Sequence, residues 1–146
     1  PSVAMARSMV SEAGLGDRVQ IVHADAGGLD DEGVYDVVAM NLVLHEVGGP
    51  IEQIEVLRRI RRALRPGGVL VAVELPYPDS EVEYRQEPVY RRLAGLMLHE
   101  ALVGCTSITQ RQLQGLMESA GFQHLRVAQT SRPSRWVVIG ENPTAH

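Results

Sequence analysis

Residues 35–75 read YDVVAMNLVLHEVGGPIEQIEVLRRIRRALRPGGVLVAVEL, and this stretch decides the fold class. Tyr35–Asn41 is short, apolar and rich in β-branched residues, as buried parallel strands are. After Pro50, apolar residues recur at helical spacing as far as Leu64, and Pro is common at a helix start. Residues 68–75 again have the composition of a buried strand. A strand, a helix and a strand in this order predict a parallel unit with a helical crossover.

The segments on either side of this unit continue the alternation of helices and strands. The capping box Thr109-x-x-Gln112 predicts a helix start, and Gly121 predicts the end of that helix. The other predicted elements are a helix over residues 2–13, a strand over 18–23, a helical region over 83–103 in one or two pieces, and strands over 122–129 and 136–140. We therefore predict an α/β fold: a parallel sheet with helices on both faces and a terminal antiparallel hairpin with a Ser/Arg/Pro turn.

The composition fits one domain over residues 1–146, with 45% hydrophobic residues to form its core. The net charge of −4 argues against nucleic acid as a partner, because phosphate binding requires a basic surface. No apolar run reaches the roughly 18 residues of a spanning helix, so no membrane partner is predicted. Cys105 is the single cysteine, which excludes an internal disulfide and favours a reducing, cytoplasmic setting. The apolar residues 93–103 are assigned to the core, with an acceptor pocket or a homodimer seam as alternatives.

Three segments resemble the second half of a class I S-adenosylmethionine-dependent methyltransferase domain. YDVVAMNLVLHEV resembles its fourth strand and the loop that follows, and LRRIRRALRPGGVLVAVE resembles the next helix, turn and fifth strand. LQGLMESAGFQHLRV resembles the late helix that leads into the hairpin. The resemblance implies a Rossmann-like methyltransferase sheet that lacks its first two strands and the Gly-rich cofactor loop. We therefore expect residues 1–146 to be the C-terminal portion of a single catalytic domain, with further residues upstream of Pro1.

Within this superfamily the resemblance is closest to small-molecule O-methyltransferases. It implies S-adenosylmethionine as the cofactor and a small-molecule hydroxyl or phenol as the methyl acceptor. These enzymes carry a His-Asp pair after the fourth strand and a Glu at the end of the fifth, which implies catalytic roles for His45 and Glu74. Cofactor contacts are implied for Asp25 and Ala26, which follow the third strand, and for Asn41, where the family often has Lys.

A base beside the acceptor is the chemical reason to single out His45. Methyl transfer is an in-line displacement, and a hydroxyl acceptor gains from a base that titrates near neutrality, for which His is the natural choice. A carboxylate such as Glu74 can orient the imidazole and stabilise its charged form. The structural alternatives are a loop hydrogen bond at His45, a helix cap at Glu74 and a turn cap at Asp25.

The chain also departs from the family pattern. Val47 stands where an aromatic residue is usual, and residues 104–109 lack the second catalytic Glu expected there. The spacing of His23, His99 and His124 indicates no metal site, and no cluster of His, Cys and carboxylate is expected. Because fold does not fix function, a nitrogen or carbon acceptor and a non-catalytic remnant that binds or dimerises stay open as alternatives.

Overall fold

The computed structural model describes residues 2–128 and 135–144. The helices in these ranges are α1 (Ser2–Glu12), α2 (Pro50–Ala63), α3 (Glu81–Gln86), α4 (Pro88–Leu102) and α5 (Gln110–Ser119). The strands are β1 (Tyr35–Asn41), β2 (Leu64–Glu74), β3 (Gln123–Val127) and β4 (Trp136–Glu141). Short 3-10 turns occur at Ala26–Gly28 and Leu44–Glu46.

The strands form one sheet in the order β1-β2-β4-β3. β1 and β2 are parallel neighbours that α2 connects along the chain, whereas β4 pairs antiparallel with both β2 and β3. The predicted α/β fold with a terminal antiparallel hairpin is therefore confirmed. Residues 129–134, which make up most of the predicted Ser/Arg/Pro turn, lie outside the described residues. Asn41 pairs with Val73, so the C-terminal ends of β1 and β2 lie side by side.

The core lies between the sheet and the helices α2 and α5, which also contact each other. From Leu70 onward β2 alternates, and its buried side chains include Leu70 and Ala72. The amphipathic pattern of α2 directs Leu57 and Ile60 into the same core. The buried cluster consists of Met40, Leu44, Val56, Leu57, Ile60, Leu64, Leu70, Ala72, Ile108, Leu113, Leu116, Met117, Ala120, Phe122 and Val138.

The strand predicted over residues 18–23 is wrong, because these residues form no strand in the structure. A strand needs a neighbour to satisfy its backbone N–H and C=O groups, and no strand in the described ranges pairs with this segment. Its apolar side chains are consequently not covered, and Val22 is 64% exposed. The helix α1 is confirmed, but it buries none of its residues. The predicted helical cover on the second face of the sheet is therefore not supplied by α1.

The Pro-Gly-Gly turn lies within β2 rather than between the helix and the strand. α2 ends at Ala63 and β2 begins at Leu64, earlier than the predicted start at residue 68. The turn forms a bulge in β2, where the backbone packs closely. A Cβ on Gly68 would lie 2.9 Å from the carbonyl oxygen of Arg65, so this position requires glycine. The side-chain amide of Asn142 donates to the carbonyls of Leu64 (2.9 Å) and Arg65 (3.2 Å) and so stabilises this bulge.

The predicted helical region over residues 83–103 consists of two pieces, α3 and α4, as its sequence indicates. Its assignment to the core is wrong. Tyr90 is the buried residue of α4, whereas Leu98 and Leu102 are exposed, because this helix packs mainly against α3. In the part of the chain that the structure describes, no helix is both long and apolar enough to cross a membrane.

Candidate active site

The site begins where β1 ends. Leu42 follows Asn41 with a φ of +56°, a left-handed conformation that is uncommon for a bulky residue. Its backbone N–H donates to the carbonyl of Val73 at 2.8 Å, so this conformation is fixed against β2. The 3-10 turn Leu44–Glu46 comes directly afterwards and carries His45 to the end of β2.

His45 and Glu74 form a buried pair at this edge of the sheet, with His45 4% and Glu74 2% exposed. One carboxylate oxygen of Glu74 accepts from the backbone N–H of Leu44 at 2.9 Å, and the other lies 2.6 Å from His45 Nδ1. A buried carboxylate requires such partners, and it can only accept a hydrogen bond. With Glu74 ionised and the imidazole neutral, Nδ1 carries the proton that bonds Glu74, and the lone pair is on Nε2.

A polar network fixes the backbone on the other side of His45. Gln53, a buried residue of α2, donates from its amide to the carbonyls of Leu44 (3.3 Å) and Val47 (3.0 Å) and to Thr106 Oγ1 (2.7 Å). Thr106 in turn donates to the carbonyl of His45 from its backbone N–H at 2.8 Å and from its hydroxyl at 3.1 Å. The imidazole is therefore held at its ring and at its backbone, as a pre-organised catalytic group must be.

Two further polar side chains lie beside the free nitrogen of His45. Glu100 Oε2 is 3.6 Å from His45 Nε2, and Cys105 lies in the same cluster. A hydrogen bond to Glu100 raises the pKa of the Cys105 thiol, and the negative charges of nearby carboxylates add to this effect. Residues 104–109 contain no Glu, as the sequence showed, yet α4 supplies one at this place. The expectation that no His, Cys and carboxylate would cluster is therefore wrong, because His45, Cys105 and Glu100 lie together.

Asp25 and Ala26 line a cleft of about 630 Å³ that runs alongside β1, together with Ala39, Met40 and Val43. The carboxylate of Asp25 is exposed, and one of its oxygens accepts from Gly27 N at 3.0 Å. It therefore caps the first 3-10 turn. Asn41, the third predicted cofactor residue, is exposed at the strand end and does not line this cleft.

Sequence reasoning missed Gln53, Glu100, Cys105 and Thr106 as members of the site. The contact between Glu100 and His45 joins residues 55 positions apart, and no local pattern indicates it. Gln53 had a usable signal, because it is a polar residue on the buried face of an amphipathic helix. A buried amide without an obvious role usually holds neighbouring backbone in place.

A family model described as a methyltransferase domain matches residues 3–127. The chain belongs to this methyltransferase family. Its sheet, its terminal hairpin and its relatives place it in class I, the S-adenosylmethionine-dependent type, close to small-molecule O-methyltransferases.

Two curated relatives and one solved structure illustrate the range of the family. The methyltransferase domain is 33% identical to a phenazine O-methyltransferase of Lysobacter antibioticus over 90% of the chain and 36% of that protein. It is 29% identical to a ubiquinone/menaquinone biosynthesis C-methyltransferase of Hahella chejuensis, over 80% of the chain and 51% of that protein. The solved structure of PigF with SAH superposes with a TM-score of 0.72 at 28% identity, covering 96% of this chain and 40% of PigF. The chain thus spans between 36% and 51% of the length of these proteins.

Proposed function

We propose that the complete protein transfers the methyl group of S-adenosylmethionine to a hydroxyl or phenol of a small molecule, with His45 as the general base. The observation that carries this proposal is the buried His45–Glu74 pair, in which Nδ1 is bound at 2.6 Å, whereas the carboxylate of Glu100 lies 3.6 Å from Nε2, beyond hydrogen-bond distance. The pair lies at the C-terminal ends of two parallel strands, where ligands of open α/β sheets bind. The match to a phenazine O-methyltransferase supports a hydroxyl acceptor.

The cleft alongside β1 suits one wall of a cofactor site. It combines apolar side chains such as Val38 and Met40 with the exposed carboxylate of Asp25. Asp25 and Ala26 would hold one end of S-adenosylmethionine, and Asn41 would contact it from the strand end. When bound, the cofactor supplies an electrophilic methyl group on a sulfonium ion.

His45 and Glu74 divide the acid–base work. Nε2 of His45 would take the proton of the acceptor hydroxyl, which contributes about 10²–10⁴-fold in rate. Glu74 holds the imidazole in the required tautomer and stabilises the imidazolium that results. Because both side chains are buried, little water competes for the lone pair.

A carbon acceptor is the second candidate, favoured by the match to the ubiquinone/menaquinone biosynthesis C-methyltransferase. The same base could remove a phenolic proton and so raise the electron density of a neighbouring ring carbon. The two functions share the His45–Glu74 pair and differ in which acceptor atom lies in line with the methyl group.

A labelled-methyl assay separates the candidates. The complete protein is incubated with S-adenosylmethionine carrying a ¹³C-methyl group and with pairs of phenols and their methyl ethers, and products are identified by NMR and mass spectrometry. We expect a ¹³C-methoxy product from phenols only. A ¹³C-methyl on a ring carbon would support the second candidate. Absence of any labelled product across the panel, with binding of S-adenosylhomocysteine intact, would count against both.

A further inference from the structure

The Nε2 side of His45 forms, together with two further side chains, a cluster of three different metal-ligating groups. One ligand atom each from His45, Glu100 and Cys105 lie within 4.8 Å of one another, and His45 Nε2 is 3.6 Å from Glu100 Oε2. His45 is buried, whereas Glu100 and Cys105 are partly exposed, so an ion has a route to the cluster. This cluster lies on the side of the imidazole opposite to Glu74.

The three groups are held together by backbone hydrogen bonds. The N–H of Cys105 donates to the carbonyl of Glu100 at 3.0 Å, and the N–H of Thr106 donates to the carbonyl of His45 at 2.8 Å. These bonds tie the loop after α4 to both the helix end and the 3-10 turn. The cluster is therefore pre-arranged by the fold, and its members are not brought together by side-chain flexibility alone.

The arrangement around His45 fits zinc in particular. Zinc bonds of about 2.0–2.3 Å in a tetrahedron place neighbouring ligand atoms roughly 3.3–3.8 Å apart, and the His45–Glu100 separation already falls in this range. A thiolate with an imidazole and a carboxylate selects zinc over magnesium or calcium. A zinc-binding His usually donates its other ring N–H to a carboxylate, which is the contact that Glu74 makes.

We propose that His45 Nε2, Glu100 and Cys105 bind a Zn²⁺ ion, and that the bound ion blocks methyl transfer. Binding forms bonds from zinc to the imidazole nitrogen, to a carboxylate oxygen and to the sulfur, and it releases the thiol proton to solvent. The blocking part rests on the proposed function, because zinc occupies the lone pair that would accept the acceptor's proton. The binding part is independent of it.

Binding is tested on the complete protein without cofactor or acceptor. Zn²⁺ affinity is measured by competition with a chromophoric chelator, and Co²⁺ serves as a spectroscopic probe. We expect a thiolate-to-cobalt charge-transfer band that is lost in Cys105→Ser, and a zinc affinity weakened about 100-fold in that variant and about 10–100-fold in Glu74→Gln. His124→Gln is the matched control, because it removes an exposed His–carboxylate pair (His124 to Glu141, 3.0 Å) that has no part in the cluster. Equal zinc affinity in the wild type and Cys105→Ser would overturn the site.

Blocking is tested by the ratio of turnover with and without Zn²⁺, measured for each variant against its own zinc-free rate. We expect saturating Zn²⁺ to lower the turnover of the wild type and of His124→Gln at least about tenfold. Cys105→Ser should be inhibited only at higher Zn²⁺ concentrations. Zinc binding through Cys105 without loss of turnover would overturn the blocking part. A cobalt band in a protein that transfers no methyl group would support the metal site and refute the proposed function.

Discussion

Replacement of Glu74 by Gln tests whether Glu74 determines which ring nitrogen of His45 carries the proton. The carboxylate accepts hydrogen bonds from Leu44 N and from His45 Nδ1, one at each oxygen. An amide of the same shape can keep only one acceptor. If its oxygen stays with Leu44, its NH₂ group faces Nδ1 and forces the imidazole proton onto Nε2. His45 would then present a donor to the acceptor hydroxyl where a base is required.

The expected loss for Glu74→Gln follows from the role of the base. Removal of general-base catalysis costs about 10²–10⁴ in kcat, or about 2.7–5.4 kcal/mol of transition-state stabilisation at 1.36 kcal/mol per decade. The binding of S-adenosylhomocysteine should change little, because Glu74 is buried and does not line the cleft that contains Asp25 and Ala26.

The assay is steady-state turnover with the acceptor identified by the labelled-methyl experiment, together with calorimetric titration of S-adenosylhomocysteine. Glu83→Gln is the matched control, because Glu83 also accepts two hydrogen bonds, from Asp79 N (2.8 Å) and from Tyr90 Oη (2.9 Å), far along the sequence from His45. A Glu74→Gln protein that is folded and retains turnover within a factor of about three would refute the reasoning.

Three further predictions concern the Gln53 network and the bulge in β2. Gln53→Leu removes the amide that holds Leu44, Val47 and Thr106, so the free energy of unfolding measured in urea should fall by about 1–3 kcal/mol. Its kcat should also fall with KM nearly unchanged, and an unchanged kcat would show that this network does not position His45. In thermal melts, Gly68→Ala should destabilise the protein by about 1–3 kcal/mol, because the new methyl would lie 2.9 Å from a carbonyl oxygen. Gly95→Ala is the control: it lies in an open position of α4 and should be neutral or stabilising by up to about 1 kcal/mol. Asn142→Ala should cost about 1–3 kcal/mol because it leaves the carbonyls of the β2 bulge without their donor, and equal stability would contradict the account of that bulge.

The fold was predictable where local pattern and tertiary contacts agree. β1, α2 and the hairpin strands each carry their own signal in apolar periodicity, and the capping box at Thr109 is formed as expected, with Gln112 N donating to its hydroxyl at 3.2 Å. Residues 18–23 have the composition of a strand, but a strand is stable only beside another strand. Because the pairing partner is not among the described elements, local preference alone was misleading.

The site was predictable only in part, and for a related reason. His45 and Glu74 were identified through the family resemblance, since His45 follows one buried strand and Glu74 ends the next, and the structure brings them to 2.6 Å. Glu100 reaches the same place from the last turn of α4, and Cys105 from the loop after it. The path of that loop is set by tertiary hydrogen bonds and leaves no periodic trace in the sequence.

The most direct test of the central claim is the turnover of His45→Ala in the complete protein, measured beside calorimetric binding of S-adenosylhomocysteine. We predict that kcat for hydroxyl methylation falls by about 10²–10⁴ while the affinity for S-adenosylhomocysteine stays within about threefold. Turnover within a factor of about three of the wild type, in a folded variant, would contradict the assignment of His45 as the base.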